Sequence, residues 1–300
     1  MPVESARPVP SSVAVPGIRY LRLEVANAVR STLEGRLYEG IIAAFRCPRF
    51  ARGAPLSERV GLKLPFENTG ATEGLAAVLQ RLYRNRFSDT DLATMRKVWA
   101  VLVRDFFQSR IRRESTVLDI GAGPCLFINE VQARRRIALD ANPDVRLHAA
   151  AGVEPLVTND LLLEEIGDET IDCVFVSNFL EHLPDYLSVL DLLDRIRHKL
   201  VPGGVLLILQ PNYRLASGRY FDFVDHSMIL TEVSLQEALT AVGFQIKELK
   251  TRFLPFTSKS RIPQWPWLVA AYLRLPPAQW LFGKQTFVAA TTPRPGSARP

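Results

Sequence analysis

The pattern of apolar and polar positions changes character near residue 110. From Arg19 to about Phe45 apolar residues recur at helical spacing, with Leu21, Val25, Ala28, Leu33, Leu37 and Ile41 on roughly one side. Residues 46–72 are punctuated by Gly and Pro and lose the pattern. Helical spacing returns over Glu73–Arg84 (Leu75, Val78, Leu79, Leu82) and over Asp91–Gln108 (Leu92, Met95, Val98, Leu102, Val103, Phe106), with Ser88 or Asp89 placed as the cap. Beyond that, short apolar runs alternate with amphipathic segments. The runs predict strands at Thr116–Ile120, Arg136–Asp140, Glu154–Thr158, Ile171–Ser177, Gly204–Gln210, Gln245–Phe253 and Thr286–Thr291. Helices are predicted after the first strand to about Arg134, from about Pro143, over Tyr186–Leu200 and over Ser234–Ala241. Strands that are apolar on both faces and alternate with helices form doubly wound parallel sheets. The expectation is therefore an α/β domain over 111–292, a mostly parallel seven-stranded sheet, behind a helical N-terminal extension over 18–110. Residues 1–17 and 293–300 read as disordered tails, and 255–284 as an aromatic-rich insertion before the last strand.

Composition narrows the setting. No apolar run approaches membrane-spanning length, and the Pro- and Ser-rich start lacks the continuous apolar core of a signal peptide, so a cytoplasmic protein is expected. Cys47, Cys125 and Cys173 are far apart and form no CxxC pair, which points away from a disulfide framework or a structural zinc site. The net charge of +6 raises a nucleic-acid partner. Yet the densest basic clusters precede the first strand (Arg110, Arg112, Arg113) or end the helix after it (Arg134, Arg135, Arg136), where they complement its dipole. Both fall at the sheet edge opposite the ligand side. A nucleic acid would need that charge at the ligand, so solvated arginines on a basic enzyme are the better reading.

Ligands on such a sheet bind outside the carboxyl ends of the strands. Residues 117–125 read VLDIGAGPC, a strand running into a glycine turn and then the helical-looking LFINEV. That is a strand–turn–helix unit suited to a nucleotide-like ligand at a helix N-terminus. Asp119 and Gly121-Ala122-Gly123 close the first strand. Asp140 closes the second, nineteen residues after Gly121, the usual distance for an acid on ribose hydroxyls. Asn159-Asp160 closes the third, with an amide and a carboxylate able to bond an adenine edge, and Ser177-Asn178-Phe179 closes the fourth. A dinucleotide such as NAD needs no acid two residues before the first glycine, and the spacing here is GxGxxL. A sulfonium-bearing ligand with a free amino group does benefit from Asp119, which favours S-adenosylmethionine.

These residues resemble a known family. VLDIGAGPC, RIALDANPD, the Asn-Asp pair at 159–160, SNFLEHL and LVPGGVLLILQPN are similar, in order and spacing, to the successive motifs of class I S-adenosylmethionine-dependent methyltransferases from about residue 114 to 292. The nearest branch is the small-molecule, type 11-like one, which includes proteins of bacterial glycan and natural-product biosynthesis. The resemblance implies a Rossmann-like fold. It implies that Asp119 and the Gly121–Ala122–Gly123 backbone hold the methionine end. Asp140, with Ala141 beside it, takes the ribose; Asp160, with Asn159, takes the adenine amine; Asn178 and Phe179 line the pocket near the sulfonium. Cys125 departs from the pattern, standing where many members have a third glycine. SNFLEHL is also not the NPPY-type motif of amino-group methyltransferases, which shifts weight toward oxygen.

Methyl transfer to a hydroxyl needs a base near neutral pH. His182 follows the fourth strand and His226 lies in the long connection after the fifth, and both are candidates; His148 and His198 fall within helices. Tyr213, Arg214, Tyr220, Asp222 and Asp225 make that connection suited to a polar or anionic acceptor, a small molecule or a glycan. Asp222, Asp225 and His226 could ligate a metal, but three such residues in five more often make a polar loop, and no metal is expected. The insertion carries Trp265, Trp267, Tyr272 and Trp280 with Lys259, Arg261, Arg274 and Lys284. The favoured reading packs the tryptophans onto the sheet or the N-terminal helices; the other rests them on a membrane surface. Two further functions compete: an RNA or protein methyltransferase, and a non-catalytic cofactor-binding scaffold. Nothing in the chain signals its oligomeric state.

Overall fold

The computed structural model describes residues 80–82, 86, 88–158, 161, 163–256 and 264–293. The helices expected over 19–45 and most of 73–84, the tail at 1–17, most of that at 293–300, and Asn159, Asp160, Lys259 and Arg261 lie outside the described residues.

Helix α1 (Asp89–Leu102) starts where Ser88 and Asp91 form a capping box: the Ser88 hydroxyl accepts from the Asp91 N–H, and the Asp91 carboxylate accepts from the Ser88 N–H. The helix predicted to run on to Gln108 instead widens into a π-helical turn at Val103–Phe107 and tightens into a 3-10 turn at Gln108–Arg110. The widened turn carries Phe106 and Phe107 into an aromatic block beneath the sheet. Phe107 meets Phe175 edge-on at 5.2 Å, Phe127 stacks on Phe175 at 3.8 Å, and Trp99 lies parallel to Phe107 at 6.0 Å.

The seven strands are β1 (Thr116–Ile120), β2 (Arg135–Asp140), β3 (Val153–Val157), β4 (Ile171–Ser177), β5 (Leu200–Pro211), β6 (Gln245–Lys250) and β7 (Gln285–Thr291). Their order is β3-β2-β1-β4-β5-β7-β6, with β7 antiparallel to both neighbours and all other pairs parallel. The fold is thus the expected mostly parallel, Rossmann-like sheet. Chain order reverses between β1 and β4, so the crevice at their carboxyl ends is the ligand position that topology dictates.

Alternate residues of each strand serve opposite faces. Leu118, Ile120, Val174, Val176, Leu206 and Ile208 pack against α3 (Tyr186–Lys199) and α5 (Glu232–Ala241) through Leu192, Ile196, Leu235 and Leu239. Val117, Cys173, Phe175, Leu207 and Leu209 pack against the α1 aromatic block and α6 (Pro266–Leu273). Shorter helices are α2 (Val145–His148), α4 (Tyr213–Ala216) and α7 (Pro276–Phe282).

Three expectations are corrected. No regular helix follows β1: residues 123–130 form successive turns in which hydrogen bonds to the third and fourth preceding residue alternate. Cys125, at φ +56°, adopts a left-handed conformation that an α-helix cannot contain. The arginines assigned to that helix's end therefore do other work. Arg135 pairs with Glu154 at 2.7 Å, and Arg136 donates to the carbonyls of Ile128 and Asn129, which a helix would have satisfied itself, and to that of Ala151. Finally, the tryptophans of the insertion are not packed inward: Trp265, Trp267 and Trp280 are 55%, 64% and 69% exposed. Helix α6 is apolar all round, and only its Val269, Tyr272 and Leu273 meet the core, leaving the opposite side out. Among the described residues no helix is long and apolar enough to cross a membrane.

Candidate active site

The glycine turn is held from three sides. The N–H groups of Gly121 and Ala122 both donate to the Leu139 carbonyl at the end of β2. Asp140 accepts the Gly123 N–H through Oδ2 and the Asn142 N–H through Oδ1, each at 2.7 Å. Phe179, just past β4, leans over Gly121 so closely that a Cβ there would lie 2.4 Å from its ring. Gly121 also sits at φ +70°, so glycine is required there twice over. Gly123, at φ +48°, faces the other way: a Cβ there would meet no protein atom within 4 Å.

Two carboxyl groups, those of Asp119 and Asp140, flank this turn. Asp119 is 3% exposed, and no basic side chain is paired with it among the described residues. Burial, reinforced by the charge of Asp140, pushes its carboxyl well above the usual range. Burial also raises Asp140, against the two backbone N–H donors that favour its ionised form. Each Asp140 oxygen keeps a further lone pair for a hydroxyl. Cys125 lies beneath the turn, and burial beside these acids pushes its thiol up to about 12, so it is an inert neutral group. Asn178 takes a left-handed φ of +48°, with its N–H on the Leu209 carbonyl and its side-chain amide donating to Ser177. Ala141 is exposed beside Asp140.

A second cluster begins one turn further on. The 3-10 turn Leu180–His182 carries Glu181, and the Ser227 and Met228 N–H groups donate to the Glu181 carbonyl at 2.8 and 2.9 Å. Those two bonds fold the connection after β5 back over the turn, bringing the His182 and His226 rings to 5.0 Å. His182 Nδ1 lies 3.0 Å from the Asp225 backbone carbonyl and 3.3 Å from its carboxylate. Asp225 in turn accepts from Arg86 at 2.7 Å, and this contact helps hold its carboxyl below the usual range against the cost of burial. Glu181 is buried; Oε2 accepts from Gln210 at 2.8 Å, while Oε1 has no hydrogen-bond partner and lies 4.0 Å from His226 Nε2. His226 Nδ1 is likewise buried without a partner. Burial drives the His226 imidazole down to about 4, so it is neutral at pH 7.

The structure thus brings His182, His226 and Asp225 together, as the sequence could only list them. It adds Glu181, Gln210 and Arg86. Glu181 was visible as the neighbour of His182; Arg86 lies far off in sequence and carried no signal. Of the remaining loop candidates, Tyr220 joins this cluster, its ring 4.9 Å from that of His226. Tyr220 is fully buried, its hydroxyl donating to the Met228 carbonyl, and Tyr213 packs against its ring at 5.3 Å. Arg214 lies 3.6 Å from Glu232, and Asp222 is exposed.

A buried carboxylate lacking a basic partner, a turn open at Gly123 and an acid with lone pairs to spare suit a cationic amino-acid nucleoside. Known proteins bear this out. A family model described as a methyltransferase domain matches residues 92–249, more than half of the chain. The chain belongs to the class I S-adenosylmethionine-dependent methyltransferases. S-adenosylmethionine is its cofactor. Among solved structures, a chain of the complex between the Haloferax volcanii Trm112 methyltransferase activator and a methyltransferase superposes with a TM-score of 0.52 at 17% identity, covering 74% of this chain and 98% of that one. A methyltransferase of Archaeoglobus fulgidus gives 0.44 at 20% identity, covering 63% and 94%. At such identities the first bears on the fold alone, and the second is too loose to argue from. No curated protein matches the chain.

Proposed function

We propose that this methyltransferase acts on an oxygen of a small-molecule or glycan-type acceptor, which enters over the Glu181–His182–His226 cluster. The observation that carries the reading is positional. Phe179, which touches the glycine turn, is three residues from His182, and Asp225 with Arg86 fixes the orientation of that imidazole. S-adenosylmethionine supplies a methyl carbon already activated by positive sulfur. Asp119 would hold its amino group, Asp140 its ribose hydroxyls, and Asn178 and Phe179 the wall beside the sulfur. The chain's remaining task is to align a hydroxyl, exclude water and draw off its proton. Imidazole and carboxylate groups beside the cofactor turn suit that task, whereas an amine acceptor needs only to arrive unprotonated.

Arginine placement speaks against a nucleic-acid acceptor. Arg135 is engaged by Glu154 at 2.7 Å at the amino end of β2, away from the ligand side, and Arg110 by Glu248 of the edge strand β6 at 2.8 Å. The test is S-adenosylhomocysteine release on parallel panels of hydroxyl and amine acceptors. Turnover on hydroxyl compounds, reduced roughly 100-fold or more in His182→Ala with unchanged S-adenosylhomocysteine affinity, is expected. Turnover confined to amines, or to RNA, would overturn the reading.

A further inference from the structure

The two histidines and the glutamate that converge beyond β4 have a property the proton-transfer reading leaves unexplained. One Glu181 oxygen and one ring nitrogen of each histidine lie within 4.8 Å of one another. Glu181 Oε1, which faces His226 Nε2, is buried with no hydrogen-bond partner, as are Gln210 Oε1 beside it and the other His226 ring nitrogen, Nδ1. Side-chain exposure is 1% for Glu181 and 5% for His226. An unpaired buried carboxylate oxygen loses its hydration for nothing in return. Here the chain also spends ordered structure on keeping it in place. Gln210 fixes Oε2, the Ser227 and Met228 N–H groups clamp the Glu181 backbone, and Asp225 with Arg86 behind it steers His182.

We infer that Glu181, His182 and His226 bind one divalent first-row transition ion, with Zn2+ and Mn2+ as the chemical type. Two imidazoles and a carboxylate form a mixed N/O donor set for such ions and leave further positions open. Metal–ligand bonds of about 2.0–2.2 Å place neighbouring donors roughly 3–3.5 Å apart. Ion binding requires the 4.0 Å between Glu181 Oε1 and His226 Nε2 to shorten by roughly 0.5–1 Å. Asp225 plays the outer part, a carboxylate on the ring nitrogen of a ligand histidine. Among Asp222, Asp225 and His226, which adjoin in sequence, only His226 is a ligand; the partners come from the turn after β4.

The inference rests on the oxygen-acceptor reading and deepens it, giving His182 the role of ligand to the ion in place of direct proton acceptor. An acceptor hydroxyl in an open position of the ion has its pKa lowered, so its proton passes to solvent. That oxygen then forms the bond to the methyl carbon as the carbon–sulfur bond breaks, its electron pair going to sulfur.

The test uses the full chain freed of metal by a chelator and titrated with Co2+, whose visible absorption reports its ligands. One Co2+ per chain is expected. Glu181→Gln, which keeps the side chain's shape, and His226→Ala should each weaken binding roughly tenfold or more, with S-adenosylhomocysteine affinity unchanged as the proof of folding. Absence of saturable Co2+ binding, or equal binding by wild type and both folded variants, overturns the inference. Full hydroxyl methylation in chelator also overturns it while leaving the oxygen-acceptor reading intact. Co2+ binding without any hydroxyl turnover does the reverse.

Discussion

Replacing Gly121 by alanine probes the contact that joins the two halves of the cofactor turn. An alanine at φ +70° takes a left-handed conformation, costing about 1–2 kcal/mol. Its Cβ would stand 2.4 Å from Phe179 Cδ2 and 2.9 Å from Cγ, so the ring must retreat by about an ångström, an overpacking cost of about 1–3 kcal/mol. Together these give roughly 2–5 kcal/mol against the observed turn. If all of it falls on cofactor binding, affinity drops roughly 30- to 4,000-fold. Calorimetric titration with S-adenosylhomocysteine, beside a thermal melt, separates loss of binding from loss of fold. The steric share has its own signature: in Gly121→Ala/Phe179→Ala the ring is gone, so a double-mutant cycle should show coupling of about 1–3 kcal/mol. Gly123→Ala, with no protein atom within 4 Å, carries the conformational cost without the clash. Wild-type affinity in Gly121→Ala, or a cycle with no coupling, would refute the idea that Phe179 wedges the turn.

Other outcomes follow from the same geometry. Asp119 has its folded pKa raised above its ordinary value of 3.8, so its burial favours the apo protein at low pH and opposes it as pH rises through the raised value. The melting temperature of the apo protein should therefore fall over that rise, and Asp119→Asn should flatten the slope. Cofactor affinity should run the opposite way, strengthening with pH in the wild type and losing that dependence in Asp119→Asn. Arg86→Met removes the partner that holds Asp225 ionised beside His182; turnover should fall while S-adenosylhomocysteine affinity stays at the wild-type value. Equal turnover in a steady-state assay would detach Arg86 from the acceptor site.

What the sequence made legible was local. Strands such as Ile171–Ser177 are continuous apolar runs, and the acids at their ends sit within one or two residues of the strand that positions them, so the run and the site are read together. The helix expected after β1 failed for a related reason. The apolar run from Leu126 to Val131 is buried as a series of turns as thoroughly as it would be on a helix, and its pattern cannot report the left-handed Cys125. The contacts that tune the site are products of tertiary folding. Phe179 over Gly121, Arg86 on Asp225 and the approach of His226 to Glu181 span 58, 139 and 45 positions, and no spacing rule reaches that far. Trp267 misled because composition cannot say which side of a helix that is apolar all round meets the core.

In the function proposed, the acids at the ends of β1 and β2 and the glycine turn between them bind S-adenosylmethionine. This assignment is tested most directly by titrating S-adenosylhomocysteine calorimetrically onto the wild type, Asp140→Ala and, as a control outside the turn, Asp222→Ala. One site per chain, affinity weakened roughly tenfold or more in Asp140→Ala, and wild-type affinity in Asp222→Ala are expected. A folded Asp140→Ala protein that binds as tightly as the wild type would contradict the assignment.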